Sequence, residues 1–368
     1  MRYRPAPPDR LRNAFLSLRA PDERAGEAIE LAKLRIDGYT RTLVSGAPQE
    51  VEPGRVDGEA ERMAWSGITA LALGMHDAAR AILGALGDAI VTAESEFARR
   101  LYLLLAGRYV AWTGDARLIT TRHLPVIRKV YEALPPVPGR ADGGTTRPRM
   151  AAPWESLLDE LANTAEAAGD MDLSTAARAR ASLQPGAAGD AAATFPDSPG
   201  GAAWSAYSLD LPEIAGARWL AELDQATEED AGDEAAATRA AAAVLPFMHG
   251  MLGAEPDATR HRLVLRPRVP LAWDRCQVFR IHFGDATITM AYEKGEDRHE
   301  FRLVQDTGAV PVRIIFEPAL PVSELRRAVV DGQAATLHSR RVGDRVAAPI
   351  QIVLDHDRRL EFHGPPAA

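Results

Sequence analysis

The chain changes its hydrophobic period once. Up to Leu252, apolar residues recur at three- and four-residue spacings, the repeat of one helical face. From Leu263 onward they alternate with polar residues, the repeat of a half-buried strand.

The first helical pattern follows Pro21-Asp22-Glu23, with Asp22 as N-cap, and carries Ala28, Leu31, Leu34, Ile36 and Tyr39. Asp57 to Leu73 reads as a second helix, closed by Gly74. His76-Asp77 opens a third through Leu86, with Asp77 placed to accept from the free first-turn amides. Glu96 to Trp112 is strongly apolar. Gly114 then permits the left-handed residue that ends a helix, and Asp115 caps a helix reaching Leu134. The same Gly-Asp junction recurs at Gly169-Asp170, between Trp154 to Ala168 and Leu173 to Leu183. A last pair covers about Ala203 to Leu223 and Asp233 to Leu252. Pro135 to Arg149 and Gln184 to Gly201, rich in Pro, Gly and Ala, read as loops. The pattern predicts about nine helices, mostly in sequential antiparallel hairpins, which must curl into a toroid or stack as a solenoid to bury their inner faces.

Beyond Glu255-Pro256-Asp257, Phe279, Ile281 and Phe283 alternate with Arg280 and His282, and Ile288, Met290 and Tyr292 with Thr287 and Thr289. Gly284-Asp285, Lys294 to Asp297, Asp331-Gly332 and Gly343-Asp344 are turn signals between short strands. That spacing predicts an antiparallel β-sandwich. The expected organisation is an N-terminal extension over 1–20, a helical-hairpin domain over 21–254 and a β-sandwich over 255–368.

Composition narrows the function classes. With 46% apolar residues over 368, a sizeable core is expected. A formal charge of −8 without a dense basic patch speaks against nucleic acid. No apolar run is long enough for a signal peptide or a membrane span, so the expectation is a cytoplasmic protein. The acidic run Glu228 to Glu234 reads as a solvated loop, and the single cysteine, Cys276, as a buried packing residue in a strand. No metal or cofactor is expected: Asp355-His356-Asp357 sits at a strand end, where alternate side chains diverge.

No short catalytic motif stands out, so the acids and aromatics are weighed singly. Glycoside chemistry normally uses two carboxyl groups across the scissile bond. Asp57, Glu59 and Glu61 lie at a helix start, where acids also favour the helix dipole; Glu94 and Glu96 lie at the next, and Glu155 and Asp159 are the further candidates. Trp65, Trp112, Trp154 and Trp204 are candidates for stacking on sugar rings, and each also fits apolar helical spacing.

Several segments, in order, resemble the six-hairpin glycosidases of the amylo-α-1,6-glucosidase and bacterial α-L-rhamnosidase type. The strongest is the lead-in to the β-region: Met248-His-Gly250-Met-Leu-Gly253, then Pro256-Asp257-Ala258, then Leu265-Arg-Pro267 through Pro270 to Trp273, preceded by Gly201 to Trp204. Val110 to Asp115, Gly74 to Leu83 and Trp154 to Asp170 are similar to further family segments. The resemblance implies a shortened (α/α)₆ toroid followed by a β-sandwich, a carbohydrate ligand, and catalysis by Glu61 with Glu94 or Glu96. Trp65, Trp154 and Trp204 would then bind substrate. The chain departs from the family where the chemistry should lie. The family's Trp-Gly-Arg-Asp element falls on Gly58 to Glu61, its Ser-x-Asp-Ala on Val91 to Glu94, and Met150 to Trp154 stands in for an expected acid segment. The implied function is a glycoside hydrolase-like protein with reduced or lost activity; the alternative is a non-catalytic carbohydrate-binding or protein-interaction protein. Oligomeric state stays open.

Overall fold

The computed structural model describes residues 11, 13–45, 56–134, 152–182, 212–226 and 233–365. The predicted loops at Pro135 to Arg149 and Gln184 to Gly201, the start of the Ala203 helix and most of the Glu228 run lie outside them.

The helical part comprises α1 (Glu23–Ser45), α2 (Val56–Ala72), α3 (His76–Ala89) and α4 (Glu96–Thr113). Next is α5, which starts as Ala116–Leu118, passes a π turn at Ile119–His123 and continues as Leu124–Ala133. Then come α6 (Ala152–Ala167), α7 (Met171–Ser182), α8 (Pro212–Ala226) and α9 (Asp233–Leu245), which runs into a second π turn at Pro246–Met251. The hairpin junctions follow from local chemistry. Gly114 has φ 73° and Asp115 accepts from Leu118 N at 3.1 Å; Gly169 has φ 81° and Asp170 accepts from Leu173 N at 3.0 Å. Asp77 is not the cap of α3. Met75 holds that position without a side-chain bond, since a thioether is at most a weak acceptor.

Helices α9, α2, α4 and α6 pack side by side in that order. Helix α1 covers α9, α3 lies against α2 and α4, and α8 closes on α9 and α1. The inner position of α2 explains why Met63 to Met75 are all buried. The buried face of α1 differs from the expected one: Ala25, Ala28, Ile29, Ala32 and Ile36 point inward with Lys33 and Asp37, while Leu34 is exposed. Lys33 is tolerated there because Glu30 and the Ser17 hydroxyl receive its ammonium.

Strand β1 (Ser17–Arg19) was not legible in the sequence. It forms the edge of a seven-stranded antiparallel sheet, β1-β4-β5-β6-β14-β9-β10. The others in that sheet are β4 (Arg275–Phe283), β5 (Ala286–Lys294), β6 (Arg298–Thr307), β9 (Arg327–Val330), β10 (Gln333–Ala335) and β14 (Asp357–His363). A second sheet contains β2 (Glu255–Asp257), β3 (Arg262–Leu265), β7 (Val312–Phe316) and β13 (Ile350–Leu354), in the order β13-β7-β3-β2. A small third sheet joins β8 (Ala319–Leu320), β11 (Arg340–Val342) and β12 (Arg345–Ala347). The architecture is therefore mixed helix and predominantly antiparallel sheet. One pair, β3 with β7, is parallel, because the chain leaves for the β4-β5-β6 meander before returning. Phe301 of β6 meets Phe316 of β7 at 5.0 Å and Phe362 of β14 at 6.0 Å, which joins the two larger sheets through aromatic packing.

The expected alternation in β4 fails at one point. A bulge between Val278 and Ile281, with Arg280 at φ 57°, moves the buried set from Cys276 and Val278 to Ile281 and Phe283. Phe279 consequently turns outward under the guanidinium of Arg19 on β1. Buried side chains of the helices and both larger sheets form one continuous core.

Candidate functional site

Adjacent inner helices α2 and α4 begin beside one another, and the acids singled out in the sequence gather there. Asp57 and Glu61 stand one turn apart on α2. The carboxylate of Asp57 accepts from Glu94 N at 2.9 Å and Ser95 N at 3.0 Å, so it pins the turn that precedes α4. Ser95 caps α4 by accepting from Ala98 N, and its hydroxyl donates to Glu61 Oε1 at 3.0 Å. Glu61 is half-buried. Burial pushes its carboxyl above the usual range, the Ser95 hydrogen bond pulls it down, and the Asp57 charge pushes it up again.

The remaining acids are arranged differently. Glu59 accepts from the Tyr39 hydroxyl at 2.9 Å and pairs with Arg62. Glu96 pairs with Arg100 along α4, and Glu94 is exposed to solvent. Ser95 was missed in the sequence reading, although a serine directly before a strongly apolar helix is a cap signal. Asp57 was noted only as a first-turn acid; its reach across to the α4 turn has no local sequence signature.

Among the tryptophans, Trp65 is only 7% exposed within the core, so its indole presents no open face to a sugar. Trp112 is 1% exposed, and its carbonyl accepts from Gly284 N at 2.8 Å, tying α4 to the β4–β5 turn. Trp154 lies in the first turn of α6 with its side chain outside the described residues, as is all of Trp204. An unanticipated aromatic, Trp219 of α8, is fully buried against Phe247 and Trp273. Cys276 is buried as expected, and its thiol is pushed up to about 12 by that burial. Asp357 is engaged by the guanidinium of Arg302, and no metal-binding group of three acid, histidine or cysteine side chains occurs among the described residues. No described helix is long and apolar enough to cross a membrane.

No family model and no curated protein matches the sequence. Among solved structures, one described as a kojibiose phosphorylase from the human microbiome matches with a TM-score of 0.50 and 9% identity. The match covers 92% of this chain and 67% of that one. The likeness is one of fold, and it takes in the helical and the sheet parts of this chain alike.

Proposed function

We propose that this chain is a glycoside-processing protein in which the row α9-α2-α4-α6 is an arc of a shortened (α/α)₆ toroid and Glu61 protonates the leaving oxygen. The observation that carries the reading is the state of Glu61: a half-buried carboxyl, held by Ser95, with its proton affinity raised. A shift in that direction is the one a general acid requires. The fold likeness to a kojibiose phosphorylase supports the substrate class. Displacement by phosphate needs only one protein carboxyl, since phosphate is itself the nucleophile, and a single poised acid suits that chemistry better than hydrolysis.

The test is a screen of aryl glycosides and disaccharides with and without inorganic phosphate, using wild type and Glu61→Gln. The expected result is turnover that falls by about 10²-fold or more in the variant, the scale of one lost general acid. Absence of turnover by wild type on every sugar in both buffers would retire the catalytic reading.

A second reading is favoured by the commitment of the neighbouring acids. Asp57 is bound to two backbone amides and Glu96 to Arg100, which withdraws two carboxylates from hydrolytic chemistry. On that reading the protein binds carbohydrate without cleaving it. Silence on a glycan array would count against it.

A further inference from the structure

A second polar cleft lies at the other end of α4, between α4, α6 and the β2–β3 segment. Its volume is about 310 Å³, at the lower end of the range of small-molecule sites, and it lies where the helices meet the β2–β3 segment. Gly107 and Arg108 form one wall, Asp159, Glu160 and Asn163 a second, and the turn from Glu255 to Thr259 a third.

The wall is built, not incidental. Arg108 holds Glu160 Oε1 at 2.9 Å, while Glu160 Oε2 is closed off from solvent with no hydrogen-bond partner. A side chain at Gly107 would bring its Cβ within 3.2 Å of Glu160 Cβ, so the absence of one lets α6 approach and sets the shape of the cleft. Burial pushes the Glu160 carboxyl upward, the Arg108 charge opposes this, and the Glu255 charge adds to it. Asp159 and Asn163 are exposed and make no hydrogen bond or ion pair among the described residues.

The charge pattern selects the ligand class. An anion is disfavoured, because Arg108 is paired with Glu160 and Arg262 with Asp257, and Asp159 adds negative charge. A divalent cation is disfavoured, because Glu255 is taken by Arg266 and no three acids converge among the described residues. What suits alternating acceptors and donors at fixed positions is a ligand whose groups do both, namely hydroxyls.

We infer that the α4–α6–β2 cleft is a binding site for a small neutral polyhydroxylated molecule, of monosaccharide or cyclitol size, with Asp159 and Asn163 as its direct hydrogen-bonding residues. The site is independent of Glu61 and of whether the protein is catalytic. A hydroxyl donor entering the cleft would also supply the orphaned Glu160 oxygen with a partner after a small side-chain movement.

The test is calorimetric titration of the full chain with D-glucose, myo-inositol and glycerol, beside inorganic phosphate, calcium chloride and spermidine. The variants are Asn163→Leu and Asp159→Ala. Both positions are exposed on a helix, and thermal melting confirms that each variant folds. The expected result is saturable binding of glucose or inositol in the millimolar range, weakened about tenfold or more by each variant and unchanged by Glu61→Gln. The inference is overturned if phosphate, calcium or spermidine binds in preference to the neutral polyols. It is equally overturned if no polyol binds, or if binding survives both folded variants. Loss of turnover in Glu61→Gln with polyol binding intact would separate this site from the proposed acid.

Discussion

Gly74 offers the sharpest test of how the helical and β parts are joined. It stands at φ 80° between α2 and α3, and a Cβ there would lie 2.3 Å from Cδ2 and 2.7 Å from Cγ of His282 on β4. His282 in turn donates from Nε2 to Ala14 O at 2.8 Å and packs against Phe15 and His76. Replacing Gly74 with Ala therefore has two costs. The left-handed backbone costs about 1–2 kcal/mol for a residue with a Cβ. Moving the imidazole by about 1 Å to restore van der Waals distance breaks its bond to Ala14, another ~1–3 kcal/mol for a group left unpaired. The expected loss is about 2–5 kcal/mol in urea unfolding. Gly169→Ala is the control: its φ is 81° but nothing lies within 4 Å of the added carbon, so only the backbone cost of about 1–2 kcal/mol applies. A double-mutant cycle isolates the ring's share of the clash: in a His282→Ala background Gly74→Ala should cost less than in wild type, while staying above the Gly169 value because the two Cβ atoms would still lie 2.9 Å apart. Equal losses at Gly74 and Gly169, or additivity of Gly74→Ala with His282→Ala, would refute the reasoning.

Ser95→Ala removes the cap of α4 and should cost about 0.5–2 kcal/mol by urea unfolding. It should also raise the Glu61 pKa further, because the bond that lowers it is lost; NMR titration of the labelled carboxyl reads this, and a fall would contradict the assignment. Burial holds His76, His123 and His299 at about 4 and His249 at about 3, and lowers His282. Each binds its proton more readily unfolded than folded, so stability is full above the ordinary value near 6.5 and is lost as pH falls toward 4, by up to about 1.4 kcal/mol per pH unit per histidine. Glu61, Glu160 and Glu222, whose carboxyls are raised by burial, act in the opposite sense but are fewer. A melting temperature that is flat or rising from pH 7 to pH 5 would exclude that balance. Trp219→Phe keeps the stack on Phe247 but loses the Nε1 bond to Ala243 O, for about 1–3 kcal/mol, whereas Trp219→Ala should cost about 3–5 kcal/mol in the same assay.

What could be read in the sequence was local. The Gly-Asp hairpin junctions, the change of period near Glu255 and the turns at Gly284-Asp285 and Asp331-Gly332 depend on a few adjacent residues, and each stands in the structure as expected. What could not be read depends on distant partners. Strand β1 is three residues long and exists because β4 offers it an edge. The bulge that turns Phe279 outward has no glycine to announce it, and Arg280 takes the left-handed position instead. Lys33 and Asp37 enter the buried face of α1 because Glu30 and Arg41 neutralise them. The acids at the head of α2 were legible as a group, but not their division of labour. That Asp57 is a structural tie and Glu61 the perturbed carboxyl depends on the turn before α4 folding back to meet them.

Helix α4 places the two sites apart. Its first turn, at Ser95, belongs to the Glu61 cluster, and Gly107 belongs to the polar cleft, about 18 Å further along at 1.5 Å per residue. Groups that far apart without shared partners contribute independently, within about 0.5 kcal/mol. Glu61→Gln and Asn163→Leu should therefore be additive in unfolding free energy, and each should leave the other's readout unchanged: turnover for the first, polyol binding for the second. Were Asn163→Leu to abolish turnover while the protein stays folded, the cleft would be part of the substrate path. The acid at the head of α2 and the cleft toward the far end of α4 would then have to be reached by one extended glycan rather than by two ligands.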